Sequence, residues 1–121
     1  MDDGGYKGMR DIKFRAYDTE TKEMSYDFLD NAWLKVAIHS PYVELMQYTG
    51  LKDRNGREIY EGDIVQHREE NGTIEYHSET AMFVVEFDTW ITDFDHINGC
   101  DLEVIGNVYA NPELLEVSND R

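Results

Sequence analysis

Short stretches of alternating apolar and polar residues run along most of this chain and favour strands over helices. The strand predicted over residues 12–17 has a period of two. Its apolar face, predicted to be buried, carries Ile12, Phe14 and Ala16. Its polar face carries Lys13, Arg15 and Tyr17. A polar turn over residues 18–22 and a returning strand over residues 23–26 complete a predicted hairpin.

The next segment is ambiguous, because residues 28–38 fit a short helix about as well as a strand with a turn. Pro41 then interrupts the regular structure, since the residue before a proline is disfavoured in the helical region. Residues 42–48 alternate again, and the candidates for burial are Val43, Leu45 or Met46, and Tyr48. A further strand is therefore expected here.

Turn sequences fill residues 49–63, at Thr49-Gly50, at residues 53–56 and at residues 61–63. Asn55-Gly56 is of the kind favoured where the backbone needs positive φ. Five strands are predicted after these turns, over residues 64–67, 73–77, 81–88, 90–94 and 102–109. Asn111-Pro112 then reads as the start of a helix of one or two turns.

Five short strands joined by loops predict a meander that curls on itself, as in a small barrel. The fold class expected from the residues is therefore mainly β. A C-terminal SH3-like small barrel fits the strand count, with an irregular β-rich N-terminal part and a short C-terminal helix. The expected division is residues 1–8 as a disordered extension, 9–44 as the β-rich segment, 45–117 as the barrel and 118–121 as a tail.

Three segments carry a resemblance to a known family. They are residues 9–18 (MRDIKFRAYD), residues 45–65 (LMQYTGLKDRNGREIYEGDIV) and residues 102–115 (LEVIGNVYANPELL). Together they are similar to the start, middle and end of YopX proteins, which are small proteins of bacteriophages and prophages with no known biochemical role. The resemblance implies an SH3-type barrel on the C-terminal side. It implies no catalytic residue.

Composition limits the function further. No apolar run approaches the ~20 residues of a membrane-spanning helix, and the N-terminus lacks the apolar core of a signal peptide. Cys100 is the only cysteine, which excludes an intramolecular disulfide and a cysteine-based zinc site. We therefore expect a cytoplasmic protein that has no cofactor and does not contact a membrane.

Charge is distributed unevenly along the chain, whose net value is −15. Residues 1–68 hold ten of the 11 Lys and Arg residues, whereas residues 69–121 hold thirteen of the 26 acidic residues and a single cation, Arg121. Such an acidic half repels phosphate, so direct binding of nucleic acid through it is not expected. Solubility explains the acidity most simply, and imitation of DNA phosphates is the alternative.

One cluster of cations stands out before the acidic half, at Lys52, Arg54 and Arg57. It is flanked by Tyr48 and Tyr60, so the five residues form the candidate partner-binding site. The cations either pair with the protein's own acids or dock on an acidic face of another molecule, and a second copy of the chain would give a homo-oligomer.

A weaker candidate is a metal site at Asp93, Asp95 and His96, if the two carboxylates share one face of a strand. The simpler interpretation is that these acids face solvent and alternate with the core aromatics Trp90 and Phe94. The four histidines have no ligand spacing, and no glycine pattern precedes a Lys-Ser/Thr pair. No residues are therefore assigned to catalysis.

Three functions follow as hypotheses. The first is a non-enzymatic phage accessory protein that acts through contacts with an unidentified protein. The second is an acidic DNA mimic that inhibits a host DNA-binding enzyme, and the third is a small metal-dependent enzyme.

Overall fold

Nine β-strands in two antiparallel sheets dominate the computed structural model, which describes residues 11–26, 35 and 38–115. The strands are β1 (Phe14–Asp18), β2 (Glu23–Tyr26), β3 (Val43–Lys52), β4 (Glu58–Tyr60), β5 (Asp63–His67), β6 (Glu70–His77), β7 (Met82–Phe87), β8 (Ile91–Asp93) and β9 (Glu103–Asn107). The described residues contain no α-helix of seven or more residues. The prediction of a mainly β protein is confirmed.

The first sheet has the order β2-β1-β3-β4. The predicted hairpin is present as β1 and β2, which pair through Asp18 and Glu23 at the turn. The assignment of Arg15 and Tyr17 to a polar face is wrong, since they are only 2% and 7% exposed. Both faces of β1 are covered by protein, whereas Ile12 precedes the strand and is exposed.

Strand β3 is longer than the sequence predicts, because it continues through Thr49-Gly50 to Lys52. The expected turn at Thr49-Gly50 is therefore wrong. Gly50 has a φ of +92°, and the register with β4 shifts between Tyr48 and Lys52. An irregularity of this kind bends a strand without ending it. The predicted domain boundary at residue 45 falls inside β3.

The second sheet contains the five strands predicted for the C-terminal half, in the order β8-β7-β6-β5-β9. It curls into a half-barrel. Its outermost strands are β8 and β9, so the sheet is open between them. The curl encloses the main core, which consists of Ile59, Val65, Ile74, Val85, Phe87, Ile97, Leu102 and Val104.

The turn before β5 joins the two sheets. Gly62 has a φ of +87°, and an added Cβ would lie 2.9 Å from Met46 Sδ. Only glycine combines that backbone conformation with so close an approach. The backbone of Gly62 also accepts a hydrogen bond from Val108 N at 2.9 Å and donates one to Ile74 O at 2.8 Å.

The predicted C-terminal helix is a single 3₁₀ turn, Pro112–Leu115, anchored by a hydrogen bond from Asn71 Nδ2 to Leu114 O at 3.0 Å. Of the ambiguous segment 28–38, Lys35 and Ile38 are helical, and the rest lies outside the described residues. The predicted extension 1–8 and tail 118–121 also lie outside them. No described helix is long and apolar enough to cross a membrane.

Candidate functional site

The candidate site is built on the tight turn between β3 and β4, residues 52–57, which we call the basic turn. Gly56 N donates to Asp53 O at 3.0 Å, and Gly56 has a φ of +82°. Asn55 has no positive φ, so a single left-handed residue closes the turn. Asp53 Oδ1 accepts the amides of Asn55 at 2.9 Å and Arg57 at 2.8 Å.

The same aspartate fastens the basic turn to the second sheet. Asp53 Oδ2 accepts the amide of Val104 at 2.9 Å, and Arg54 N donates to Leu102 O at 2.9 Å. Gly99 lies so close beneath the turn that an added Cβ would be 2.5 Å from Lys52 O. The backbone of the turn is therefore held on both sides, although its cationic side chains are exposed.

Asp53 is ionised over the physiological pH range. Burial raises the pKa of its carboxyl, but three backbone amides, from Val104, Arg57 and Asn55, together bring it below its ordinary value. The carboxylate thus acts as a structural acceptor for the turn and is only 5% exposed.

The three cations Lys52, Arg54 and Arg57 lie on exposed positions of the basic turn. None of them forms a salt bridge with a carboxylate of residues 11–26, 35 or 38–115. Arg54 Nη2 instead donates to the backbone carbonyl of Asp101 at 3.3 Å. Pairing of these cations with the protein's own acids therefore stays a prediction, with no salt bridge to support it in this part of the chain.

The two flanking tyrosines are both buried, which confirms the predicted burial of Tyr48 and differs from the exposed aromatic faces expected beside the cations. Tyr48 and Tyr60 are only 4% and 3% exposed, and their ring centroids lie 5.4 Å apart across β3 and β4. Burial raises the pKa of the Tyr60 hydroxyl, which donates to Glu58 Oε1 at 3.1 Å. Both rings are therefore part of the structure beneath the turn rather than an exposed aromatic surface.

A cavity of about 210 Å³ opens next to the basic turn and is lined by Arg15, Tyr26, Arg57, Glu58 and Tyr60. The Arg15 guanidinium lies 4.7 Å from the centre of the Tyr60 ring, within the range of cation–π attraction. The Tyr26 ring meets Tyr60 edge-on at 5.7 Å. We call this space the arginine cavity.

Two ion pairs support the arginine cavity. Arg15 Nη2 contacts Asp63 Oδ1 at 2.8 Å, and both side chains are almost fully buried. Lys13 Nζ donates to Glu58 Oε2, and this hydrogen bond lowers the pKa of Glu58 below its ordinary value. The charges of Glu58 and Asp63 are thus each matched by a cation other than Arg57.

Sequence reasoning missed Arg15 and Asp63. An arginine in an alternating strand looks like a solvent-facing residue, and only its contact across the sheets shows that it is buried. A signal was present in Gly62-Asp63, since an acid directly before the buried run of β5 requires a partner inside the protein.

The weak metal candidate has a different arrangement from the one expected. Strand β8 ends at Asp93, so Asp93 and Asp95 do not share a strand face. Asp93 Oδ1 accepts the amides of Asp95 at 3.0 Å and His96 at 3.2 Å, and it contacts His96 Nδ1 at 2.6 Å. In the described part of the chain, no three His, Cys, Asp or Glu side chains are grouped so that they could hold a metal ion.

The aromatic pair assigned to the core near this site is only partly buried. Phe94 packs against the core, but Trp90 is 40% exposed and stacks on Phe87 with ring centroids 4.7 Å apart. Trp90 Nε1 donates to Glu70 Oε1 at 3.1 Å, which holds the indole on the surface of the half-barrel.

Carboxylates surround a second and larger cavity on the half-barrel, of about 520 Å³, which we call the acidic cleft. Its lining includes Glu69, Glu70, Glu86, Asp88, Phe87 and Leu114. On the same sheet, a hydrogen bond with Glu86 raises the pKa of Glu75 to about 7. Burial and the charge of Glu86 add to this rise.

Comparison with known proteins decides the family. The family model described as YopX protein matches residues 26–116, which is most of the chain. The chain belongs to the YopX family. The predicted resemblance is therefore confirmed.

Two solved structures resemble this YopX family member. Protein EF1440 from Enterococcus faecalis is 29% identical, with a TM-score of 0.63, and the match covers 88% of this chain and 99% of that one. Protein yopX from Bacillus subtilis is 21% identical, with a TM-score of 0.51, covering 88% and 98%, and it supports the fold alone. No curated protein matches the chain significantly.

Proposed function

We propose that this YopX family member is a non-enzymatic accessory protein of a bacteriophage or prophage that acts in the bacterial cytoplasm by contacting another protein. Membership of the YopX family supports the phage origin. Contact with another protein is inferred from the basic turn, because its three exposed cations have no salt bridge to the described residues.

The basic turn has properties that suit binding. Its backbone is already held by Asp53 and by Gly99, so that less conformational freedom is lost when a partner binds. Its charge favours a partner with an acidic surface, because complementary charges speed association and select the correct partner. The half-barrel beneath it serves as an SH3-like scaffold that presents the turn.

Affinity capture tests this proposal. The bait is the full chain, used against a lysate of the bacterium that carries the gene, and the variant replaces Lys52, Arg54 and Arg57 with Gln. The matched control replaces three other exposed cations with Gln, namely Lys22, Lys35 and Arg68. Quantitative mass spectrometry compares the captured proteins.

A protein that is retained by the native chain and the control, and lost with the basic-turn variant, is the expected result. Equal loss with both variants would show that only net charge matters, and the proposal would be wrong. Absence of any captured protein across several growth conditions, including induction of the prophage, would also contradict it.

A second copy of the chain is one candidate partner, because the acidic cleft is complementary in charge to the basic turn. Light scattering coupled to size exclusion measures this directly. Self-association that is abolished in the basic-turn variant assigns the contact to this pair of surfaces, and a monomer at all concentrations excludes it.

The acidic cleft favours a second candidate function, that of a DNA mimic. The four carboxylates that line this cavity support the proposal, because a DNA mimic needs acidic groups gathered on one surface. The test is elution of host proteins from immobilised DNA by the native chain, compared with a variant carrying E69Q, E70Q, E86Q and D88N. Elution by the native chain alone supports the mimic, and equal elution by both contradicts it.

A further inference from the structure

Arg15, which lines the arginine cavity, has a hydrogen-bond donor with no acceptor in the part of the chain that the structure describes. An arginine side chain has five N–H donors. The hydrogen bonds that the Arg15 side chain makes to described residues come from Nη2, which contacts Asp63 Oδ1 at 2.8 Å and Glu61 O at 3.2 Å. Its Nε is buried and has no hydrogen-bond partner among the described residues.

An unpaired buried N–H is costly, and Arg15, which carries one, is among the residues that line the cavity. Arg15 is 2% exposed and is held in place by Asp63 and by the ring of Tyr60. It cannot turn to solvent without breaking the salt bridge that joins the sheets. An acceptor that enters the cavity would therefore meet the Arg15 guanidinium at a fixed position.

The balance of charge around the cavity selects an anion. Arg15 is matched by Asp63, and Glu58 is matched by Lys13. Arg57 also lines the cavity and has no salt bridge to the described residues, so the lining residues Arg15, Arg57 and Glu58 carry one net positive charge. In a chain of net charge −15, this excess acts on an anion only at short range.

We propose that the arginine cavity binds a carboxylate group of the partner protein, with Arg57 and Arg15 as hydrogen-bond donors and Tyr26 and Tyr60 as the aromatic walls. The planar guanidinium suits a carboxylate, to which it donates two parallel hydrogen bonds. The volume of about 210 Å³ accommodates one acidic side chain or one chain terminus. The statement that the carboxylate belongs to a partner protein rests on the proposed function, whereas the binding of a carboxylate in the cavity does not.

The experiment uses the full chain labelled with ¹⁵N and four probes in NMR titrations. Two are tripeptides with one carboxylate, either on a glutamate side chain with both ends blocked, or at a free C-terminus with a blocked N-terminus. The third is a fully blocked peptide with glutamine in place of glutamate, and the fourth is inorganic phosphate. Saturable shifts at Arg57 and Tyr60 with either carboxylate probe are expected, and the stronger of the two identifies the carrier.

Two single variants form the matched pair. Arg57→Gln removes a cation that lines the cavity, and Arg68→Gln removes an exposed arginine that lies outside the basic turn and does not line the cavity. A charge-assisted hydrogen bond corresponds to a factor of about 10 or more in affinity, so R57Q should weaken the carboxylate probe about tenfold and R68Q less than about twofold.

Equal weakening by R57Q and R68Q would overturn the proposal, because only the overall charge would then matter. Tighter binding of phosphate, or equal binding of the glutamine peptide, would overturn it as well. The peptides need no host protein, so a failed titration rejects the cavity while capture on the basic turn still stands. Failed capture beside a successful titration rejects the proposed function instead.

Discussion

Arg15 of β1 and Asp63 of β5 form a salt bridge, with Nη2 and Oδ1 2.8 Å apart, inside the protein. Strand β1 belongs to the first sheet and β5 to the half-barrel, so the pair fastens one sheet to the other. Asp63 Oδ2 also accepts the amide of Tyr60 at 2.7 Å, which fixes the turn between β4 and β5. Two charged groups therefore stabilise the junction of the two sheets.

Replacement of Asp63 with Ala should destabilise the protein strongly, because it leaves the Arg15 charge buried without a partner. Loss of one partner of a buried pair costs about 3–5 kcal/mol of unfolding free energy. Urea denaturation measures the change. The control is Glu58→Gln, which breaks the partly exposed pair with Lys13 and should cost less than about 1 kcal/mol. Similar losses in the two variants would contradict the importance of the junction.

Asp53→Ala should loosen the basic turn from β9. Three backbone amides lose their acceptor, and at about 1 kcal/mol for each bond the loss is roughly 3 kcal/mol. Asn55→Ala, on an exposed residue of the same turn, should change stability by less than about 0.5 kcal/mol. A stable D53A variant whose hydrogen exchange at Val104 stays slow would show that the anchor is unimportant.

The same aspartate should make the stability of the protein depend on pH in the acid range. Its folded-state pKa lies below the ordinary value of 3.8, so its contribution is fully present above pH 3.8 and is lost as pH falls through the folded-state pKa. The measurement is denaturation of the native chain and of Asp53→Asn at pH values from about 2 to about 5, which span this window. The difference in unfolding free energy between the two proteins should shrink towards the acid end, and a constant difference would exclude the effect.

Glu75 should have the opposite effect, because its contribution to the free energy of unfolding should fall as pH rises. Its pKa of about 7 is above the ordinary 4.5, so the folded protein keeps a proton that the unfolded chain releases between these values. Stability attributable to Glu75 therefore falls as pH rises from 4.5 to about 7. Glu75→Gln should raise the melting temperature at pH above this window and leave it nearly unchanged below it. A rise of equal size at every pH would contradict the prediction.

Asp93 should control the titration of His96. The hydrogen bond that His96 Nδ1 donates to the Asp93 carboxylate raises the pKa of the imidazole above its ordinary 6.5. This contribution to stability is present below pH 6.5 and is lost as pH rises through the folded-state pKa. Asp93→Asn should lower the His96 pKa measured by NMR, whereas Asp95→Asn, on an exposed neighbour, should lower it less. Equal effects of the two variants would contradict the pairing.

The strands of the half-barrel could be predicted from the sequence, because each is a short apolar run that ends at turn residues. The signal at β8 was weaker, since the Asp93 carboxylate accepts two amides of the next turn and ends the strand early. Side-chain hydrogen bonds of this kind depend on a rotamer, which the pattern of residue types does not show.

The site was harder to predict, because its parts are far apart in sequence. Lys52, Arg54 and Arg57 are adjacent in the chain, and their exposure follows from the turn. Arg15, which lines the cavity beside them, is brought there only by the pairing of β1 with β3 and by its contact with Asp63. Period-two alternation cannot identify a strand that is covered on both faces.

The residues of the basic turn divide into two sets with separate tasks. Asp53 and Gly56 determine the path of the backbone, whereas the residues Lys52, Arg54 and Arg57 are exposed to solvent. Substitution of these three cations should therefore be nearly neutral for folding, although it changes the charge that the turn presents. The turn is accordingly a position where the surface charge of the protein can be redesigned on a backbone that Asp53 and Gly56 continue to hold.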